Sequence, residues 1–200
     1  MSGAAGVLRL HYVPLTRSVR PPRSRRISGL SRYDLSGGHL KLSERKHVLY
    51  DHLNHTREEL LDVVGQMQPE DWDKPVQSLE GGWTVKQLLL HVATSESGQI
   101  KTAQAIAAGQ PTVPDDFDLD RYNARMIERN KAKQPPEILF GMAESRQKLL
   151  AFLEEVPEAA LDKSGKHGRG DVITLEQLFL RIGDHEEGHA EEIKKALVQH

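Results

Sequence analysis

From Ser43 onward, apolar residues recur at helical spacing. Leu49, Leu53, Leu60, Val64 and Met67 form a stripe at steps of three, four and seven, closed by Pro69. A second helix is announced at Thr84. This hydroxyl N-cap is followed three residues later by Gln87, a capping box, and Trp83 and Leu88 stand in the positions of a hydrophobic staple. The helix should run to about Ala108, where Gly109 and Pro111 stop it. Residues 119–132 read as a shorter helix inside a long connection. A third long helix is expected from near Glu137, behind Pro135-Pro136, to just before Pro157. The last starts at Thr174, where Gln177 completes another capping box and Ile173 and Leu178 make the staple. No segment alternates as a strand does, so the expected class is all-α.

The two halves echo each other. Pro69-Glu70-Asp71-Trp72-Asp73-Lys74 has its counterpart in Pro157–Lys163, and Trp83–Leu90 matches Ile173–Leu180, at offsets that drift only from 88 to 90 residues. This reads as a duplicated helical hairpin. Two hairpins that each expose an apolar stripe close on one another as a four-helix bundle. The stretch from Gln110 to Gln134 is long enough to travel the bundle's length, which would let the second and third long helices run parallel.

Charge changes the picture at the N-terminus. Residues 1–33 hold seven arginines and no acid, so the remainder carries net −9 beneath the chain's −2. Residues 1–40 lack periodicity and are expected to form a disordered basic tail ahead of a domain at 41–200. An organellar transit segment, a nucleic-acid arm and an extension without a role all fit that composition, whereas a twin-arginine export signal fails for want of an apolar segment. The acidic body argues against a nucleic-acid groove on the folded part. No apolar run is long enough to span a membrane. Without cysteine, thiolate metal sites and cysteine nucleophiles are excluded, and a reducing cytoplasm is the default expectation.

Ten histidines are many for 200 residues. His185 and His189 continue the core stripe of the last helix, one turn apart on one face. Imidazoles at that spacing can share a divalent ion, or can be hydrogen-bonded core residues. His91 lies seven residues past its N-cap, and His185 and His189 lie eleven and fifteen past theirs. Steps of four aim all three in a similar direction, so a site between facing helices becomes possible. Ser95 and Gly98, both small, would leave a cavity beside it. The stretch His185-Glu186-Glu187-Gly188-His189 also fits H-E-x-x-H. A metalloprotease needs a further ligand downstream, however, and the metzincin position holds Lys195.

These motifs support a resemblance. Gly82–His91, Asp118–Asn123 and Asp184–His189 resemble the DinB/YfiT-like superfamily of metal-binding four-helix bundles, over about residues 44–198. The resemblance implies an up-down-down-up bundle in which His91, His185 and His189 hold a divalent transition metal, commonly nickel, zinc or iron. It implies a metal-dependent hydrolase or a low-molecular-weight thiol S-transferase acting on a small-molecule substrate, with the thiol as a second cofactor. The related mycothiol-dependent isomerases share the tryptophan block but tend to carry a carboxylate where His185 stands. Glu186 is the candidate catalytic carboxylate or partner of a ligand ring, with a solvated surface charge as the alternative. A non-enzymatic bundle that binds a ligand or forms a homodimer is the competing reading. His52 and His55 are expected at the surface, with a place on the pocket rim as the alternative. Asp115 to Asp120 read as a solvated linker with an N-cap, and Gly165 to Gly170 as a turn. Tyr122 and Asn123 face the metal pocket by resemblance.

Overall fold

In the computed structural model, residues 42–77 and 82–198 are described. The tail expected at residues 1–40 lies outside them. Ser43 caps α1 (Glu44–Gly65), which ends a turn before the expected stop at Pro69. The capping box at Thr84 is present: Gln87 N donates to Thr84 Oγ1 at 3.3 Å and Thr84 N to Gln87 Oε1 at 2.9 Å. It opens α2 (Val85–Ala108), which stops at Gly109 in the left-handed region, φ 67°. Asp118 caps α3 (Leu119–Asn130). The next helix, α4 (Pro135–Glu155), begins two residues earlier than expected, because the prolines occupy its first turn, where a missing N–H is harmless. The second capping box opens α5 (Leu175–Val198), with Gln177 N on Thr174 Oγ1 at 3.1 Å.

One element departs from the all-α expectation. Ser164–Lys166 (β1) and Val172–Thr174 (β2) pair antiparallel as a three-residue ribbon. It grows from the sequence repeat. In both halves a short 3-10 turn, at Pro69–Asp73 and at Glu158–Asp162, leads into the pairing that receives the next helix. Val85 N donates to Lys74 O at 3.0 Å, and Leu175 N donates to Lys163 O at 2.8 Å. In the first half the pairing is a single bridge, Pro75 to Thr84. Pro75 sits between the ladder bonds of its neighbours, so its lack of an N–H costs nothing there.

Contacts along the helices give their directions. Arg45, near the start of α1, meets Glu176 near the start of α5, and Arg57 further along α1 meets Glu186 further along α5. These two helices are parallel. On α4, Met142 and Leu153 pack at the levels of Leu88 and Ile106 on α2, so that pair is also parallel. Lys46 Nζ near the start of α1 donates to Glu154 O near the end of α4 at 2.9 Å, which makes those two antiparallel. The order is therefore up-down-down-up, with α3 lying in the long crossover.

The core has two apolar blocks. Leu49, Leu53, Ile106, Leu149, Leu153, Phe179 and Ile182 belong to one, and Leu60, Leu88, Leu89, Met142, Ala190 and Ile193 to the other. Between them each long helix contributes one buried charge: Arg57, Glu96, Arg146 and Glu186. Arg57 bridges Glu186 and Glu96, with its Nε 3.0 Å from Glu186 Oε1 and its Nη2 3.1 Å from Glu96 Oε2. Arg146 does the same from the other side, with Nε 2.7 Å from Glu96 Oε1 and Nη2 2.7 Å from Glu186 Oε2. Ser145 Oγ also donates to Glu96. Two cations and two anions cancel, and no buried side-chain polar atom is left without a partner among the described residues.

Close approach of α1 to α5 depends on a missing side chain. His52, expected at the surface, lies over Gly183, with its Nε2 3.2 Å from Leu180 O and 3.1 Å from Asp184 Oδ1. A Cβ built at Gly183 would stand 2.5 Å from His52 Cδ2. Gly183→Ala should therefore lower the urea unfolding free energy by about 1–3 kcal/mol. Adding His52→Ala should recover part of that loss, and full additivity of the two changes would refute the contact. His55 is exposed, as expected.

Candidate metal centre

His91 sits in the second turn of α2, and His185 and His189 lie on either side of the midpoint of α5. Because α2 and α5 are antiparallel neighbours, these positions meet at one level. His185 Nε2 lies 3.1 Å from His91 Nε2 and 3.0 Å from His189 Nε2. Ligand atoms of all three lie within 4.8 Å of one another. The rings meet edge to face, with centroids 4.4 to 5.3 Å apart, and Trp83 covers His91 from 5.1 Å.

The protonation state follows from burial. Desolvation first, then repulsion by His189 and Arg169, pushes His91 down to about 4. Desolvation, the other two histidines and Arg169 push His185 down to about 2. Both rings are neutral at pH 7. Glu192 Oε2 accepts from His189 Nδ1 at 2.7 Å, which leaves the His189 Nε2 lone pair facing the centre. On His91, Ser95 Oγ lies 3.3 Å from Nδ1. Three converging Nε2 atoms cannot all be satisfied by one another's protons, whereas a shared cation serves every lone pair. Metal–nitrogen bonds of about 2.0–2.1 Å put tetrahedral ligand nitrogens about 3.3 Å apart, close to the 3.1 and 3.0 Å that separate His185 from His91 and His189. The donor set fits a transition metal.

A sign follows for the metal-free protein. The two depressed histidines hold protons in the unfolded chain below about pH 6.5 but not in the folded one. Folding stability should therefore be flat from pH 8 to 7. It should then fall as pH drops through 6.5 toward 4, by up to about 1.4 kcal/mol per pH unit for each such ring. Urea midpoints of chelator-treated protein check this, and a midpoint unchanged down to pH 5 would contradict it.

Glu186 stands beside His185 in sequence but not in space. Its side chain is 1% exposed and its oxygens are taken by Arg57 and Arg146. It is neither a solvated surface charge nor a group facing the imidazoles. The acid that does reach a ring is Glu192, three residues after His189, a spacing readable in the sequence but overlooked there.

Two cavities flank the centre. The larger, about 800 Å³, is bounded by His91, Ser95, Gly98, Tyr122 and His185, and on its far side by the β1–β2 loop. The smaller, about 620 Å³, is reached past Trp83, Asp120 and His189. Gly98 makes room for Tyr122, whose hydroxyl would lie 3.3 Å from an added Cβ. Tyr122 and Asn123 both line the larger cavity. The loop from Gly165 to Gly170 brings in residues that sequence reasoning missed. His167 is 7% exposed, and its Nδ1 faces Arg169 N at 3.2 Å and Arg181 Nη1 at 3.1 Å. Arg181 is itself held by Asp171 through two bonds of 3.0 and 2.7 Å. Of the linker acids, Asp118 caps α3 and Asp115 lies 2.8 Å from Lys166 Nζ.

A parallel-paired helical bundle with an imidazole cluster between α2 and α5 is the class of protein defined by fold and site together. The family model of the DinB superfamily matches residues 52–193, and the chain belongs to that superfamily. It is 26% identical over 137 residues to a protein of Oceanobacillus iheyensis whose name proposes a metal-dependent hydrolase, covering 68% of this chain and 76% of that protein. Among solved structures it resembles YfiT from Bacillus subtilis, which is described as having an unusual four-helix bundle topology and is likewise proposed to be a metal-dependent hydrolase. That match has a TM-score of 0.61 at 21% identity, over 80% of this chain and 93% of YfiT. A mycothiol-dependent maleylpyruvate isomerase matches with a TM-score of 0.61 at 16% identity, over 75% of this chain but 59% of the isomerase. The colibactin self-resistance protein ClbS, solved with double-stranded DNA, matches with a TM-score of 0.63 at 13% identity, over 78% of this chain and 96% of ClbS. Since that neighbour binds DNA, the fold by itself does not exclude nucleic acid. Among the described residues no helix is long and apolar enough to cross a membrane.

Proposed function

We propose that this chain is a metal-dependent enzyme in which His91, His185 and His189 hold one divalent transition metal and a small molecule reacts in the larger cavity. The observation that carries this reading is the convergence of three Nε2 atoms, two of them 3.0 and 3.1 Å from the third. A metal held by these three imidazoles would supply Lewis acidity, to activate a water or polarise a carbonyl. The protein supplies the rest. Glu192 keeps His189 in the tautomer whose Nε2 carries the free lone pair. Trp83 limits water around His91. Tyr122 and Asn123 add polar side chains to the lining of the same cavity.

With no cysteine in the chain, a thiol nucleophile would have to come from a small molecule, and water is the other nucleophile this reading takes. The proposed activities of the Oceanobacillus protein and YfiT support hydrolysis, and the thiol dependence of the isomerase supports transfer. Elemental analysis of the purified full chain should find nickel, zinc or iron near one ion per chain. A panel of esters, amides and thiol–electrophile pairs should then turn over with the metal-loaded protein alone. Protein free of transition metal that cannot be loaded at neutral pH would end this reading.

A further inference from the structure

Arg169, like Lys101, is a cation of the larger cavity without a partner among the described residues, and of the two it alone also lines the smaller cavity. It sits in the β1–β2 loop, where its backbone N donates to His167 Nδ1 and Gly170, at φ 95°, completes the turn. Its guanidinium is exposed and forms no hydrogen bond or ion pair with any described residue. Yet Arg169 lines both cavities, as do His91 and His185. The other arginine of the larger cavity, Arg181, is neutralised by the bidentate carboxylate of Asp171.

The cavities differ in charge. The larger has Lys101, Arg169 and Arg181 against Asp171 and Asp184. The smaller has Arg169 against Asp120, Asp184 and Glu192. An anion is therefore favoured in the larger one, and the surplus of a single positive charge matches a monoanion better than a dianion. Part of its lining is apolar, formed by Val113, Pro114, Phe117 and Leu119, and Phe117 and Leu119 lie against Gly168, next to Arg169. A planar guanidinium is suited to a carboxylate, which accepts two parallel N–H bonds.

We infer that the larger cavity binds a small carboxylic acid, with its carboxylate on Arg169, its apolar body against Phe117 and its reacting group at the three imidazoles. This names a substrate class for the reading given above and rests on it for the last contact only. The loop that carries Arg169 is then the specificity element of the site, and its geometry explains why the turn is anchored on a buried histidine: His167 sets the direction in which residue 169 points.

The test titrates the full-length protein calorimetrically, as purified and after chelation, with phenylacetate and phenylacetamide, which share a shape and differ in charge. Phenylacetate should bind about tenfold or more tightly than the amide in both preparations. Arg169→Gln should erase that preference, and Arg169→Lys should keep part of it, with helix content unchanged in both because the side chain has no partner among the described residues. Equal affinity for acid and amide, no binding of either probe, or a preference that survives Arg169→Gln would overturn the assignment. Inorganic phosphate competing better than phenylacetate would overturn the carboxylate class. Metal content measured on the same samples separates the two readings. Protein that carries no metal as purified and cannot be loaded, yet keeps an Arg169-dependent preference, refutes the metal and leaves the carboxylate site. Metal-loaded protein indifferent to Arg169→Gln refutes the carboxylate site alone.

Discussion

His185→Ala should empty the centre of metal while leaving the bundle folded. His185 is the ring both others approach, at 3.1 and 3.0 Å, so its loss leaves His91 and His189 without a common neighbour. Losing an outer partner of a ligand typically costs 10–100-fold in metal affinity, so losing the ligand itself should cost on the order of 100-fold or more. The fold should tolerate the change, since His185 is held neutral at some expense: its protonation is pushed down to about 2 by burial and by the neighbouring rings. Removing it relieves that opposition. The metal-free variant should therefore lose less stability than metal-free wild type when the pH is lowered from 7 to 5, although it binds metal far worse. Elemental analysis and urea titrations at the two pH values read both effects. A variant that retains stoichiometric metal would show that the three rings are not the binding set.

The second large effect lies one residue away and acts on stability. Glu186→Ala should cost about 3–5 kcal/mol of unfolding free energy, because it leaves Arg57 and Arg146 buried with too little negative charge. Were Glu186 a catalytic acid or base, the same change would abolish turnover and barely move the urea midpoint. Replacing the whole set, with Arg57→Met, Glu96→Leu, Arg146→Met and Glu186→Leu together, should recover most of the lost stability, since an ionic layer exchanged for apolar side chains of similar volume is often neutral or favourable. The cost of the single change is thus the isolation of charges. Failure of the fourfold variant to recover would mean that the layer contributes more than mutual neutralisation.

Much of this was legible before any coordinates. The capping boxes at Thr84 and Thr174 and the stop at Gly109 are local hydrogen-bond logic, and they are found where the residues predicted them. The echo between the halves was equally visible, down to the 3-10 turns that precede α2 and α5. Helical phase alone put His91, His185 and His189 on inward faces. The charge layer could also have been seen. The stripe of α1 skips from Leu53 to Leu60, and Arg57 stands in the gap. Glu96, Arg146 and Glu186 interrupt the other stripes in the same way.

Other features had no local signal. Spacing shows Glu186 facing inward, but nothing local shows its partners: only the rotation of α5 against α1 and α4 sets it between two arginines, with Glu187 left exposed. His52 looked like a surface residue because the stripe beside it was complete. It is half-covered because Gly183 on α5 lets the two helices approach. Arg169 lies in a glycine-rich turn with no periodicity, and its place beside the imidazoles depends on a hairpin that folds back over the mouth of the bundle.

The sequence by itself thus determined the helices, their ends, the repeat and the inward faces, because each depends on bonds and periodicities spanning a few residues. Only the tertiary structure decided which inward groups share a neighbour: three imidazoles around one point, four charges in one layer, and an arginine of a distant turn beside the cavity. Those groupings join residues as far as 129 positions apart. They are set by the direction and rotation of whole helices, which no short window of residues encodes.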